Sequence, residues 1–173
     1  MKARLALLIC LWAMASGVQA IPDAARSHAD SWRAQGQGEM RWFGLKLYDA
    51  ELWVSSLNFD PTKVFALKLT YARNFEGNKL ASASIDEMQR QGRLEPAQAA
   101  RWLKALERVF PDVKEGQHIT GVFLPGKGAA FYLDGKPTGE IADVELARRF
   151  FDIWLDPRTR EPSLRAGLLG SKS

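Results

Sequence analysis

The sequence predicts an α+β domain in which an antiparallel sheet carries helices on one face. Three observations lead there: strand-like alternation of apolar and polar residues before residue 73, two successive helical tracts between residues 78 and 110, and a return to short strands before a last helical region. The 173 residues are 46% hydrophobic and 25% charged, with 24 Lys+Arg against 20 Asp+Glu and one cysteine. That is ordinary globular composition, and it excludes collagen-like, low-complexity and mostly disordered chains. A chain of this length forms about one domain and buries roughly two thirds of its unfolded surface without disulfides or metals.

Residues 1–20 read as a secretory signal. Lys2 and Arg4 precede an apolar run over residues 5–15, and Val18 and Ala20 are the small residues that a signal peptidase reads. The run is shorter than the roughly 20 residues of a membrane span, and no later segment qualifies, so the sequence contains no transmembrane segment. Cys10 follows Ile9 rather than a small residue, which argues against lipid anchoring. Cleavage after Ala20 leaves residues 21–173 as one domain, with 22 basic and 20 acidic residues. The sole cysteine departs with the signal, so the mature chain has neither disulfide nor thiol chemistry, which suits an oxidising periplasm.

Along the mature chain, residues 21–38 are polar and turn-rich and end in Gly36, Gln37 and Gly38. From residue 39 a strand places Arg41, Phe43, Leu45 and Leu47 on one face and Met40, Trp42, Lys46 and Tyr48 on the other, continuing through Leu52, Trp53 and Val54. Asn58 to Pro61 make a turn. A second strand over residues 63–73 gives one face to Phe65, Leu67, Leu69, Tyr71 and Arg73. Leu80, Ile85 and Met88 carry a helix over residues 78–91 that stops at Gly92. Pro96 opens another, whose stripe runs through Trp102, Leu106 and Val109 and ends before Pro111. Strands over residues 117–124 and 128–133 flank Pro125, Gly126 and Lys127, and Asp134 with Gly135 signals a hairpin into residues 136–141. Asp143 caps a helix closed by Pro157, and a last short helix runs from about Pro162 to Leu169.

Several kinds of chemistry are poorly supplied. With His28 and His118 the only histidines and no cysteine in the mature chain, no zinc site is expected, nor any other metal or cofactor. There is no Gly-x-Ser-x-Gly elbow, and the glycine pairs at 36/38 and 126/128 read as turns rather than phosphate loops. Asp86/Glu87 and Asp49/Glu51 read as exposed carboxylates rather than catalytic dyads. Arg148, Arg149, Arg158, Arg160 and Arg165 are balanced by Asp143, Glu145, Asp152, Asp156 and Glu161, which describes a solvated, ion-paired face and not a nucleic-acid site.

One arrangement suggests a site. Arg41 begins one apolar face and Arg73 ends another, and a guanidinium beside a lipophilic cleft suits the head and tail of an apolar carboxylic acid. The same placement suits arginines that snorkel from strand ends to water, and geometry alone favours that reading because strand ends commonly carry such residues.

At these residues the chain resembles the bacterial chalcone isomerase-like proteins. The resemblance rests on the stretch from Arg41, Trp42, Phe43 and Gly44 to Asp49, Ala50, Glu51, Leu52 and Trp53, on Leu69 to Arg73, and on Ser84 to Met88. It continues through Phe110 to Val113, Phe131 with Tyr132, Phe151 to Thr159 and Leu164 to Gly170. It implies an open-faced β-sandwich with a ligand cleft between sheet and helices. Two activities occur on that fold, isomerases that close a flavanone ring and fatty-acid-binding relatives. The family arginine falls on Arg41. The isomerase threonine falls on Phe43, which cannot donate a hydrogen bond, and the isomerase tyrosine and asparagine fall near Glu76 and Ala83. The expectation is therefore a periplasmic, non-catalytic protein that binds a small amphipathic anion such as a fatty acid, with Arg41, Phe43, Tyr48, Tyr71 and Arg73 as ligand-binding residues. An isomerase or intramolecular lyase is one alternative. An envelope accessory protein acting through tryptophans such as Trp32 or Trp42 is the other.

Overall fold

The computed structural model describes residues 22–170; the expected signal lies outside them. A four-residue helix α1 (Asp23–Arg26) leads into strands β1 (Arg33–Trp42), β2 (Leu45–Val54) and β3 (Phe65–Tyr71). Helices α2 (Gly77–Gln91) and α3 (Pro96–Val109) follow, then β4 (His118–Leu124), β5 (Gly128–Leu133) and β6 (Lys136–Ile141). Helices α4 (Val144–Leu155) and α5 (Pro162–Leu168) end the chain. The six strands form one antiparallel sheet in the order β1-β2-β3-β4-β5-β6, so every strand pairs with its neighbour in sequence.

Alternation decides which face is buried. Ala50, Leu52 and Val54 of β2, and Phe65, Leu67, Leu69 and Tyr71 of β3, point into a core closed by α2 to α5. α4 supplies Leu146, Ala147, Phe150, Phe151, Trp154 and Leu155. Phe65, Phe123 and Phe151 lie 5.0 to 5.8 Å apart between ring centroids. Phe110, Phe131 and Phe150 form a second set at 5.3 to 5.5 Å. Such pairs each contribute about 1 kcal/mol beyond their area. On the opposite face, Ala25 of α1 covers Trp53, Ala66 and Val122, with Trp32 packed at their edge. His28 Nε2 lies 2.6 Å from the Tyr132 hydroxyl and ties the same segment down.

Two local expectations are corrected. Residues 33–38 are strand rather than turn, because Gly36 and Gly38 lie beneath α5. A Cβ on Gly36 would sit 2.6 Å from the Leu168 carbonyl oxygen, and one on Gly38 would sit 2.7 Å from Leu164 Cδ1. Their hydrogens permit close approach of a helix backbone. The strand expected over residues 39–48 is two strands: the chain reverses at Phe43 (φ 47°) and Gly44 (φ 80°), a two-residue turn with both central residues left-handed. The hairpin at Asp134 (φ 47°) and Gly135 (φ 79°) has nearly the same angles and the residue types such turns favour, whereas Phe at the first position gives no turn signal.

The arginines of the last third do more than face solvent. Arg149 Nη2 donates to the carbonyls of Met88 (2.7 Å) and Gly92 (2.8 Å), and Arg158 Nη1 donates to Gln91 O (2.7 Å). These are carbonyls at the end of α2, where intrahelical donors run out. Arg165 Nε does the same for Leu155 O at the end of α4, at 2.7 Å.

Arg158 is itself held by Asp156 at 2.8 Å. Its hydrogen bonds lower the Asp156 carboxyl to about 2. A carboxyl depressed in the folded state contributes stability that is present above its ordinary value of 3.8 and fades as pH falls towards 2. Because Arg158 is largely exposed, Asp156→Asn should cost only about 1 kcal/mol at neutral pH. Urea titrations at descending pH should show the gap between the variant and the parent closing below pH 4.

Candidate functional site

Between the sheet and the helices lies a cavity of about 440 Å³. Its floor is Met40 and Trp42 of β1, Leu47 and Tyr48 of β2, Leu69 and Tyr71 of β3, and Ile119 of β4. Leu80 and Ala83 of α2 and Phe150, Ile153 and Trp154 of α4 form the opposing wall. The lining is mostly apolar because one face of each strand meets the apolar stripes of α2 and α4.

The polar groups are few. Tyr48 is half-buried, and its hydroxyl accepts a hydrogen bond from Trp154 Nε1 at 2.9 Å. Burial pushes its pKa up to about 12. Tyr71 is 5% exposed, and its hydroxyl has no hydrogen-bond partner among the described residues. Burial raises its pKa as well. Both phenols therefore stay protonated at neutral pH and act as hydrogen-bonding groups, not bases. Lys79, Ser84, Glu87 and the turn residues Thr159, Arg160 and Glu161 are the other polar lining, and Phe75 and Phe110 add to the apolar wall. Arg160 Nη2 pairs with Glu87 Oε1 at 3.1 Å, and Glu87 also holds Arg90 at 2.9 Å. Lys79 is exposed, and no ion pair is made by it among the described residues.

The structure divides the expected site residues. Tyr48 and Tyr71 lie side by side in the cavity with ring centroids 6.1 Å apart. Arg41, Phe43 and Arg73 lie outside it. The turn at Phe43 breaks the face on which Arg41 was expected, and the Arg41 guanidinium pairs with Glu39 at 2.6 Å and donates to Gly44 O at 3.1 Å. Phe43 is at the hairpin tip, 90% exposed. Arg73 is exposed two residues beyond the end of β3. The cations of the cavity are instead Lys79 and Arg160. Lys79 stands on the polar side of an amphipathic helix, where lysine is the ordinary residue, and Arg160 sits among five arginines whose charges balance; neither spacing marks a site.

Three of the four paired carboxylates, Asp49, Glu51 and Glu87, are engaged in ion pairs. Asp49 holds Lys46 at 2.6 Å and Glu51 holds Lys68 at 3.1 Å. His118 Nδ1 lies 3.1 Å from Asp134 Oδ1, and burial lowers its pKa, so it is a neutral hydrogen-bonded strand residue. Trp32 packs on the opposite face, and Trp42 is half exposed at the cavity edge.

The comparisons with known proteins agree with this architecture. A family model described as chalcone isomerase-like matches residues 13–170. A Haemophilus influenzae protein, itself uncharacterized, is 25% identical over 140 residues, which is 80% of this chain and 68% of that one. The crystal structure of a fatty-acid binding protein from Arabidopsis thaliana superposes with a TM-score of 0.63 at 13% identity, over 81% of this chain and 87% of that chain. At that identity the likeness is one of fold.

Proposed function

The chain belongs to the chalcone isomerase-like family, and from that premise we propose that it is an exported, non-catalytic binding protein for a small amphipathic anion of the fatty-acid type. The observation that carries this reading is the cavity: about 440 Å³ of mostly apolar space with Lys79 and Arg160 in its lining and an unpaired phenol, Tyr71, inside. That volume is in the range of small-molecule sites. An acyl tail packs against Leu69, Ile119, Phe110 and Phe150. Its carboxylate sits by Lys79 and Arg160, where water still solvates the charge, because moving an ionised carboxylate deeper without a cation costs several kcal/mol. Tyr71 supplies a neutral donor to the polar end.

Binding without turnover is supported by where the isomerase-associated positions fall. Arg41 and Phe43 are outside the cavity. The Arabidopsis thaliana neighbour, a fatty-acid binding protein, has the same architecture. Export to the periplasm is supported by Lys2, Arg4 and the apolar run that follows them.

The test is calorimetric titration of the purified mature chain with dodecanoate and dodecanol. Dodecanoate should bind at least tenfold more tightly, and Lys79→Gln with Arg160→Gln should erase that preference while leaving the alcohol unaffected. Equal affinity of the parent for acid and alcohol would assign the cavity to neutral lipids, and no uptake of either would sink the reading.

A further inference from the structure

The β1–β2 hairpin outruns the strand beside it. The last pair of β2 with β3 is Tyr48 with Tyr71, yet the hairpin continues through Arg41 with Lys46 and Trp42 with Leu45 before turning. Its end exposes three large apolar side chains: Phe43 at 90%, Leu45 at 51% and Trp42 at 49%, with Trp42 and Phe43 in edge contact at 5.1 Å. Contiguous exposed apolar side chains of this size mark interaction sites.

A second observation shows that this exposure is held against local preference. Phe43 occupies a left-handed position (φ 47°) that costs a residue with a Cβ and favours Asn, Asp or Gly. The same chain places an aspartate, Asp134, at the equivalent position of its β5–β6 hairpin. Backbone strain kept at an exposed phenylalanine points from geometry to use.

We infer that the β1–β2 hairpin tip inserts into the surface of a lipid bilayer, bringing the cavity against the membrane. Three features favour a bilayer over a protein partner. The tip offers on the order of 400 Å² of side-chain surface, about half of what each partner buries in a stable protein interface. It is a projecting knob of Trp, Phe and Leu, the residue types that settle at the boundary between headgroups and acyl chains. Trp42 belongs both to the knob and to the cavity lining, so insertion places that lining next to acyl chains. At the base of the tip Arg41 and Lys46 are paired with Glu39 and Asp49. Insertion is therefore driven by apolar contact and depends only weakly on salt.

The docking is independent of the cavity's content; its use for loading an acyl ligand rests on the function proposed above. The test is co-sedimentation of the mature chain with sucrose-loaded vesicles of phosphatidylethanolamine and phosphatidylglycerol. The parent should sediment with the vesicles, and the bound fraction should change less than twofold between low and physiological salt. Phe43→Asn with Leu45→Thr, which suits the turn better and leaves the cavity lining intact, should reduce binding at least fivefold while dodecanoate titration in lipid-free buffer is unchanged. Parent protein that stays in the supernatant, or a double variant that sediments as the parent does, overturns the inference. Tip-dependent dimerisation in sedimentation velocity without vesicle binding overturns it in favour of a second copy of the chain. Tip-dependent sedimentation with no dodecanoate uptake keeps the docking and removes the acyl-ligand reading alone.

Discussion

Ala83→Trp should abolish acyl-chain binding while leaving the fold intact. Ala83 is an exposed residue of α2 that also borders the cavity. An indole there can turn into the apolar space and take the room of about four methylenes, each worth about 0.8 kcal/mol when buried. The loss approaches 3 kcal/mol, or a hundredfold in affinity. Because the position is a solvent-facing one in the middle of a helix, the cost to folding is the small propensity difference between Ala and Trp, under about 1 kcal/mol. Calorimetric titration with dodecanoate beside a thermal melt separates the two effects. Unchanged affinity in a variant with an unchanged melt would mean that the ligand, if any, binds elsewhere.

Gly36→Ala should be the most damaging single-methyl change in the chain's first strand. The added carbon would meet the Leu168 carbonyl oxygen at 2.6 Å and that of Gly167 closer still, and both are backbone atoms that cannot rotate away. Either α5 lifts from β1 or β1 twists out of its ladder. Overpacking of this kind costs about 1–3 kcal/mol in side-chain contacts and more where backbone is the obstacle. A loss of about 3 kcal/mol in urea unfolding is expected. Lifting α5 also displaces the turn carrying Thr159 and Arg160, so ligand affinity should fall with stability. A variant as stable as its parent would show that α5 does not pack on Gly36 as described.

These two sites differ in how far the sequence discloses them. The core strands are legible because apolar residues alternate with polar ones, as in Phe65, Leu67, Leu69 and Tyr71, and the helices because apolar residues recur every three or four positions. Gly36 and Gly38 are misread because a glycine that admits a neighbouring backbone looks, in one dimension, like a glycine that turns the chain. The break at Phe43 is hidden for the opposite reason: the turn is made by a residue that turns disfavour. That error carries Arg41 and Phe43 into the expected site, since an unbroken strand would have presented both beside Leu45 and Leu47. Tyr48 and Tyr71 lie in the cavity because strand alternation alone puts them on its face. Lys79 and Arg160 reach it only through the angle of α2 and the path of the turn before α5, which no local pattern encodes.

The contact between β1 and α5 also sets a timetable. Within each half of the sheet, β1 to β3 and β4 to β6, every strand can be added to the last with little loop closure, whereas the β3–β4 pairing spans the two helices α2 and α3. The helix that seats on the first strand is the last element of the chain. Residues 159–161, which complete the cavity, immediately precede it. Folding that proceeds from the N-terminal strands thus leaves the cavity unfinished until α5 docks and brings residues 159–161 into place. Apolar walls that would take up lipid indiscriminately come together only when β1 and α5, at the two ends of the described residues, have met.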